Sequence, residues 1–93
     1  YRGYYSNYIF PVVLKNSDYR KRDRLREILA EKGIQTSVHY PPVHSFNTYR
    51  KKNIRLFRTE YYADNSITLP MYSKLKKSDI NCICSIINNY GTY

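Results

Sequence analysis

The sequence has 93 residues and a mass of 11.2 kDa, which allows one small domain or a part of a larger protein. Its 16 lysine and arginine residues exceed its 7 aspartate and glutamate residues, and the formal charge of +9 favours an anionic partner, either a nucleic acid or a small substrate. The longest apolar run, residues 8–14, is much shorter than the about 20 residues that a membrane-spanning helix needs. Cys82 and Cys84 stand too close on a predicted helix for a normal disulfide, which indicates a reducing, cytoplasmic setting.

The chain first predicts an edge strand and a helix. Residues 8–14 are rich in β-forming side chains, and Pro11, which has no N–H to donate, restricts this strand to a sheet edge or a bulge. A helix is predicted near 19–32, because residues 16–18 offer N-cap side chains and Gly33 stands where a helix-ending glycine belongs. The apolar side chains of this helix at i, i+3 and i+4 spacing are Leu25, Ile28 and Leu29.

Two further strands and a short helix are predicted next. Residues 34–40 alternate between apolar and polar side chains, which indicates a second strand that Pro41-Pro42 ends. Thr59 can cap a short helix over residues 59–64. Residues 66–70 then predict a third, short strand.

The last predicted element is a helix over residues 78–90, which Ser78 caps and Gly91 ends. The element order β-α-β-(α)-β-α predicts a single α+β domain over residues 1–93. Its fold class is a two-layer sandwich in which two helices cover one face of a small, mainly antiparallel three-stranded sheet. The side chains expected to be buried between the layers are Leu25, Ile28, Leu29, Ile83, Cys84 and Ile87.

Both histidines of the chain lie in one short stretch, residues 39–44, at the end of the second predicted strand and in the loop behind it. Strand ends and loops are where a rigid scaffold displays functional side chains, so His39 and His44 are candidates for a binding site. The alternative is that His39 is a solvated strand residue and His44 caps a turn. No metal site is predicted, because no cysteine, aspartate or glutamate lies close in sequence to complete a ligand set.

Five ordered motifs resemble a known family. They are Tyr8-Ile9-Phe10-Pro11-Val12; Arg22-Asp23-Arg24-Leu25 with Gly33-Ile34; Val38-His39-Tyr40-Pro41-Pro42-Val43-His44; Tyr49-Arg50; and Thr68-Leu69-Pro70-Met71-Tyr72 followed by Leu75. This series is similar to the C-terminal segment of the DegT/StrS-type sugar aminotransferases, which depend on pyridoxal phosphate (PLP). The resemblance covers nearly the whole chain.

The resemblance implies the small C-terminal domain of an aspartate-aminotransferase-like fold, separated from its own large domain. It implies a full-length homodimer that transfers an amino group from a donor such as glutamate to a nucleotide-linked keto-sugar, for polysaccharide or surface-glycan synthesis. PLP and the Schiff-base lysine belong to the large domain in this family, so no catalytic or cofactor-binding residue is expected in these 93 residues and the chain alone is predicted to be inactive. A first residue Tyr1 rather than methionine, with no secretion signal behind it, agrees with a part of a longer protein.

The resemblance also implies substrate-binding residues. His39, Tyr40 and His44 match a stretch near the substrate side of the cofactor pocket, and Arg50, in the basic loop over 50–58, can bind a diphosphate through its guanidinium. The alternative functions are a small basic RNA-binding α+β module and an interaction domain without chemistry. The second face of the sheet separates them: an RNA binder displays basic and aromatic side chains there, whereas a domain detached from its neighbour displays aliphatic ones.

Overall fold

The computed structural model describes residues 3, 4, 6–50 and 54–91, and within them the chain forms an α+β fold. In chain order the elements are β1 (Phe10–Val13), α1 (Tyr19–Glu31), a 3₁₀ turn (Val43–Ser45), α2 (Phe57–Asn65), β2 (Ser66–Leu69) and α3 (Lys77–Tyr90). β1 and β2 form an antiparallel sheet. Among these described helices, none combines the length and the apolar character needed to cross a membrane.

Pro11 fits inside β1 because of the register of the sheet. It lies opposite Thr68 of β2. The N–H and the carbonyl of Thr68 both bond to Ser37 on the other side of β2, at 2.8 and 3.2 Å. In an antiparallel ladder, a residue whose polar groups point away from its partner belongs to a pair without hydrogen bonds. The nitrogen of Pro11 therefore points to the open edge of the sheet, and the edge position predicted for this strand is confirmed.

The predicted second strand over residues 34–40 is wrong. In the described part of the chain, only Ser37 of this segment pairs with β2, through a single bridge, so the sheet has two strands and not three. The guanidinium of Arg26 in α1 donates to the hydroxyl and the carbonyl of Thr36, at 3.2 and 3.4 Å. These bonds join the segment to α1. The alternation in sequence corresponds to half-buried side chains at Ile34, Thr36 and Val38. It reflects burial of one side of an extended segment, without a ladder.

The ends of α1 agree with the sequence. Asp18 caps the start, because its carboxylate accepts a backbone N–H three residues on at 2.9 Å, and this bond lowers the pKa of Asp18. Gly33 follows the end with φ of +76°. Its N–H donates to the carbonyl of Ala30, and the N–H of Ile34 donates to that of Leu29, both at 2.9 Å. These two bonds form a Schellman motif, which requires a left-handed residue at the position of Gly33.

The predicted caps of the two later helices are wrong. α3 begins one residue before Ser78, because the carboxylate of Asp79 accepts the N–H of the residue preceding the helix at 3.1 Å. α2 begins two residues before Thr59, and there the carboxylate of Glu60 accepts the corresponding N–H, also at 3.1 Å. In both helices an acidic side chain in the first turns reaches back to the start, as the glutamate of a capping box does.

A small core joins α1, α3 and the sheet. Leu25, Leu29 and Ile67 are fully buried. Partly buried side chains surround them: Val12, Leu14, Ile34, Leu69, Ile86, Ile87 and Tyr90. The predicted burial of Leu25, Leu29 and Ile83 is confirmed, whereas Ile28 and Ile87 are half-buried.

Cys84, which was expected in the core, is exposed. The described structure shows both Cys84 and Cys82 as free, exposed thiols. The apolar stripe of α3 is wider than the surface that α1 and the sheet supply, so it buries Ile83 and leaves its flank uncovered. On that flank, Cys84 and Ile80 line an apolar cavity of about 320 Å³ together with Phe10 of β1.

Arg22 fastens α1 to the end of α2. Only 9% of this residue is exposed, and its Nη1 donates to the carbonyl of Ala63 at 2.7 Å. Its Nε donates to the carboxylate of Asp23, also at 2.7 Å. A buried guanidinium is tolerated because charged and neutral acceptors meet its donors. This contact joins α1 to α2, the helix whose Glu60 side chain meets His44.

Candidate functional site

We define the histidine corner as residues 39–45, which leave the extended segment, pass Pro41-Pro42 and enter the 3₁₀ turn. The peptide bond between His39 and Tyr40 is cis. His39 is half-buried against β2: its Nδ1 lies 2.8 Å from Oγ1 of Thr68 and 3.4 Å from Oγ of Ser37. The first end of the corner is thus fastened to the sheet by a buried threonine.

Tyr40 projects from the corner and is 63% exposed. Its ring meets that of His39 edge-on, with centroids 4.7 Å apart. A hydrogen bond to the hydroxyl of Tyr8 raises the pKa of Tyr40 above its ordinary value of 10.0. His39 and Tyr40 therefore form one aromatic, polar surface at the end of the segment, with Tyr8 beside it.

His44 closes the second end of the corner against α2. Its Nε2 lies 3.1 Å from Oε1 of Glu60. Both side chains are largely covered, with 16% of His44 and 23% of Glu60 exposed. The other ring nitrogen, Nδ1, is buried and has no hydrogen-bond partner among the described residues.

Glu60 is the most strongly perturbed acid of the described chain. The guanidinium of Arg55 donates to it from Nη2 at 2.9 Å and from Nε at 3.1 Å. These bonds, followed by the backbone N–H of Leu56 and the ring of His44, lower the pKa of Glu60 to about 2. The carboxylate is consequently ionised at neutral pH and can only accept hydrogen bonds.

The structure brings together some of the predicted substrate-binding residues. His39 and Tyr40 touch each other, and His44 lies on the same corner but in a separate hydrogen-bond network. Arg50 is exposed. Residues 51–53 of the predicted basic loop over 50–58 lie outside the described residues.

Sequence reasoning missed the residues that hold the histidines. Thr68 and Glu60 come from β2 and α2, which are far from the histidines in sequence. The motif Thr68-Leu69-Pro70 carries part of the family resemblance, but its sequence does not indicate what the hydroxyl contacts. Glu60 gave no local signal, because its pairing with His44 depends on how α2 docks.

The described part of the chain shows no cluster of metal ligands, and its two strands carry no basic side chain. It contains no group of three or more His, Cys, Asp and Glu side chains placed to hold a metal ion. The outer face of β1 exposes Pro11 and Val13, and neither β1 nor β2 contains a basic residue. On the same face, the partners of these two residues in β2 are Thr68 and Ser66, which are buried.

The sequence comparisons give a consistent picture. The sequence model of the DegT/DnrJ/EryC1/StrS aminotransferase family matches residues 3–88. The UDP-4-amino-4,6-dideoxy-N-acetyl-beta-L-altrosamine transaminase of Campylobacter jejuni strain 81-176 is 28% identical over 76 residues, which are 80% of this chain and 20% of that protein. The chain thus spans about a fifth of the length of this curated relative.

Solved structures share the fold. Helicobacter pylori PseC, an aminotransferase involved in the biosynthesis of pseudoaminic acid, superposes with a TM-score of 0.76 at 20% identity, over 91% of this chain and 24% of that chain. Streptococcus pneumoniae Spr1654 in its PLP form gives a TM-score of 0.74 at 22% identity, over 90% of this chain and 22% of that chain. The α+β fold of the aminotransferase type is confirmed, with two strands in place of the predicted three.

Proposed function

Because the chain belongs to the DegT/DnrJ/EryC1/StrS aminotransferase family, we propose that it is the C-terminal small domain of a PLP-dependent nucleotide-sugar aminotransferase. The observation that carries this proposal is the family match over residues 3–88. The chain covers 20% of the Campylobacter relative, which leaves room for a large domain elsewhere in the protein. We further propose that the full-length enzyme is a homodimer in the cytoplasm, a location that the free thiols of Cys82 and Cys84 support.

The substrate class follows from the relatives. The transaminase of Campylobacter acts on a UDP-linked amino sugar by name, and PseC serves the biosynthesis of pseudoaminic acid. We propose a nucleotide-linked keto-sugar and an amino donor such as glutamate for the protein that contains this chain, in polysaccharide or surface-glycan synthesis. The excess of basic residues suits a substrate that carries a diphosphate.

The histidine corner is the proposed contribution of this chain to the substrate site. His39, Tyr40 and His44 are held on a corner that is fastened to β2 and to α2, so little ordering is required when a sugar binds. His39 and Tyr40 can offer hydrogen bonds to sugar hydroxyls. His44, with Nε2 on Glu60 and Nδ1 buried, is proposed to contribute by holding the corner. Arg50, which is exposed, is proposed to contact the diphosphate.

We propose that the described residues do not form a PLP site by themselves. A Schiff base with PLP needs a lysine whose amine is unprotonated, which proteins achieve by burial or by a neighbouring cation. The lysines of the described ranges are all exposed: Lys15, Lys21, Lys32, Lys74, Lys76 and Lys77. We therefore propose that the remainder of the full-length enzyme holds PLP, which supplies the electron sink for amino transfer, and that this chain alone binds none.

Transamination by the full-length protein tests the proposal. Incubation with UDP-4-amino-4,6-dideoxy-N-acetyl-beta-L-altrosamine, 2-oxoglutarate and PLP should convert the sugar amine to a ketone while 2-oxoglutarate becomes glutamate. Mass spectrometry of the sugar and an assay of glutamate should show equal amounts of both products. Turnover of simple amino acids with 2-oxoglutarate, together with no reaction of this and other UDP-linked amino sugars, would contradict the substrate class.

The outer face of β1 does not support the alternative of RNA binding. An RNA-binding sheet stacks bases on exposed aromatic side chains with basic side chains around them. β1 presents Pro11 and Val13 on its outer face. The high positive charge of the chain does not distinguish RNA binding from nucleotide-sugar binding, because both ligands are anionic.

A further inference from the structure

Glu60 lies between the histidine corner and the start of α2. Its Oε1 accepts from Nε2 of His44 and from the backbone N–H of Leu56, each at 3.1 Å. Its Oε2 accepts from Nη2 of Arg55 at 2.9 Å. The guanidinium of Arg55 in turn lies 5.0 Å from the ring centroid of Phe57, the first residue of α2. Both oxygens of the Glu60 carboxylate thus accept hydrogen bonds, and these bonds fix its orientation without a bound ligand.

An ionised carboxylate in this place determines which nitrogen of His44 carries a proton. Glu60 accepts hydrogen bonds and donates none, so the contact at 3.1 Å requires the proton of the neutral ring on Nε2. The single proton is then absent from Nδ1, which remains an acceptor. Nδ1 is buried and lacks a partner among the described residues, so no other described group competes to fix the opposite tautomer.

We propose that Glu60 is a positioning residue: it selects the Nε2–H tautomer of His44 and thereby holds the histidine corner in the orientation in which His39 and Tyr40 meet the nucleotide sugar. This inference rests on the proposed function. Glu60 itself touches neither sugar nor cofactor in this scheme, because its oxygens are already occupied by Arg55, Leu56 and His44. Its effect passes through the imidazole and the 3₁₀ turn that carries it.

The tautomer is measured first, on the full-length protein labelled with ¹⁵N-histidine, by long-range ¹H–¹⁵N correlation at mildly alkaline pH, with the His44 signal assigned by its loss in His44→Ala. We expect the proton of His44 on Nε2. In Glu60→Gln the amide both donates and accepts, so a mixture of tautomers should replace the single form. Glu27→Gln is the matched control, since Glu27 pairs with Arg24 on the exposed side of α1 and should leave His44 unchanged. A wild-type His44 with its proton on Nδ1 overturns the inference without a Glu60 variant.

Kinetics of the full-length enzyme test the consequence. Glu60→Gln should lower kcat/KM for the nucleotide sugar by about tenfold, chiefly through KM, with Glu27→Gln at the wild-type value. Wild-type kinetics in Glu60→Gln, beside a loss of activity in His39→Ala, would overturn the inference and leave the proposed function standing. Wild-type kinetics in His39→Ala, His44→Ala and Glu60→Gln together would instead remove the substrate role of the corner, and this inference with it.

Discussion

His39 and Thr68 meet across 29 residues of sequence, with Nδ1 of the imidazole 2.8 Å from the threonine hydroxyl. Thr68 is also the residue whose backbone pairs with Ser37, so one residue of β2 holds both the backbone and the side chain of the segment that leads into the histidine corner. Replacing Thr68 with valine keeps the shape of the side chain and removes only the hydroxyl. We expect a two- to tenfold lower kcat/KM for the nucleotide sugar in the full-length enzyme, about the value of one hydrogen bond.

Thr36→Val is the matched control for this change. Its hydroxyl accepts from Arg26 at 3.2 Å, so the control also loses one hydrogen bond, at a place that does not touch His39. Equal kinetic effects of the two valine variants would show that Thr68 acts on stability alone.

The two histidines should be needed for the sugar and not for the cofactor. His39→Ala or His44→Ala in the full-length enzyme should lower kcat/KM for the nucleotide sugar by about tenfold to a hundredfold, the contribution of one or two good hydrogen bonds. The absorbance of bound PLP should stay at the wild-type level in both variants. Unchanged kinetics in both would assign the corner a purely structural role.

Arg22 should contribute to stability through the end of α2. Arg22→Met keeps an apolar stem but leaves the carbonyl of Ala63 without its charged donor, which is now at 2.7 Å. We expect the free energy of unfolding to fall by about 1.5–3 kcal/mol in urea titrations. Arg24→Met is the control, because Arg24 pairs with Glu27 where both are well exposed, and its effect should stay within about 0.5 kcal/mol. A similar loss in both variants would contradict the role of the buried contact.

Acid should weaken the fold through Glu60. Its pKa in the folded chain is about 2, below the ordinary 4.5, so the ionised carboxylate stabilises the folded state fully above pH 4.5. That contribution is lost as the pH falls from 4.5 towards 2 and Glu60 becomes protonated. The difference in unfolding free energy between wild type and Glu60→Gln should therefore shrink as the pH falls through this window. A difference that does not change with pH would show that the contacts with Arg55 and His44 do not depend on the charge.

Two glycines offer a paired test of backbone conformation. Gly33 has φ of +76° and Gly91 has φ of −72°, and a Cβ at either position meets nothing within 4 Å. Gly33→Ala should lower the unfolding free energy by about 1–2 kcal/mol, because only the left-handed backbone opposes it. Gly91→Ala should cause no loss. Thermal unfolding of both variants decides the matter, and equal midpoints would contradict the backbone explanation.

The elements of regular pattern could be predicted from the sequence, and the contacts between distant residues could not. The limits of α1 were predictable because Asp18 and Gly33 act within a few residues of the helix. The segment over 34–40 shows the limit of this reasoning, since alternation reports which side of a chain is buried and not whether a ladder forms. The uncovered flank of α3 could not be predicted for a related reason. An apolar stripe on a helix indicates that some surface covers it, but it does not show that this surface belongs to the same chain.

In the candidate site, too, only the features that are local in sequence could be predicted. The clustering of His39 and His44 was visible in the sequence, and so was the stiffness that Pro41-Pro42 confer. The partners of the two rings were not visible, because Thr68 and Glu60 reach them only once β2 and α2 have docked on α1.

The proline in β1 also affects how the sheet meets other molecules. Because the nitrogen of Pro11 points to the open edge, a strand from another chain that tried to extend the sheet there would find no N–H at the middle of β1. Edge-to-edge polymerisation, which begins with such strand addition, is thereby disfavoured. Pro11 removes no hydrogen bond from the ladder between β1 and β2. It nevertheless disfavours aggregation through the open edge of the sheet.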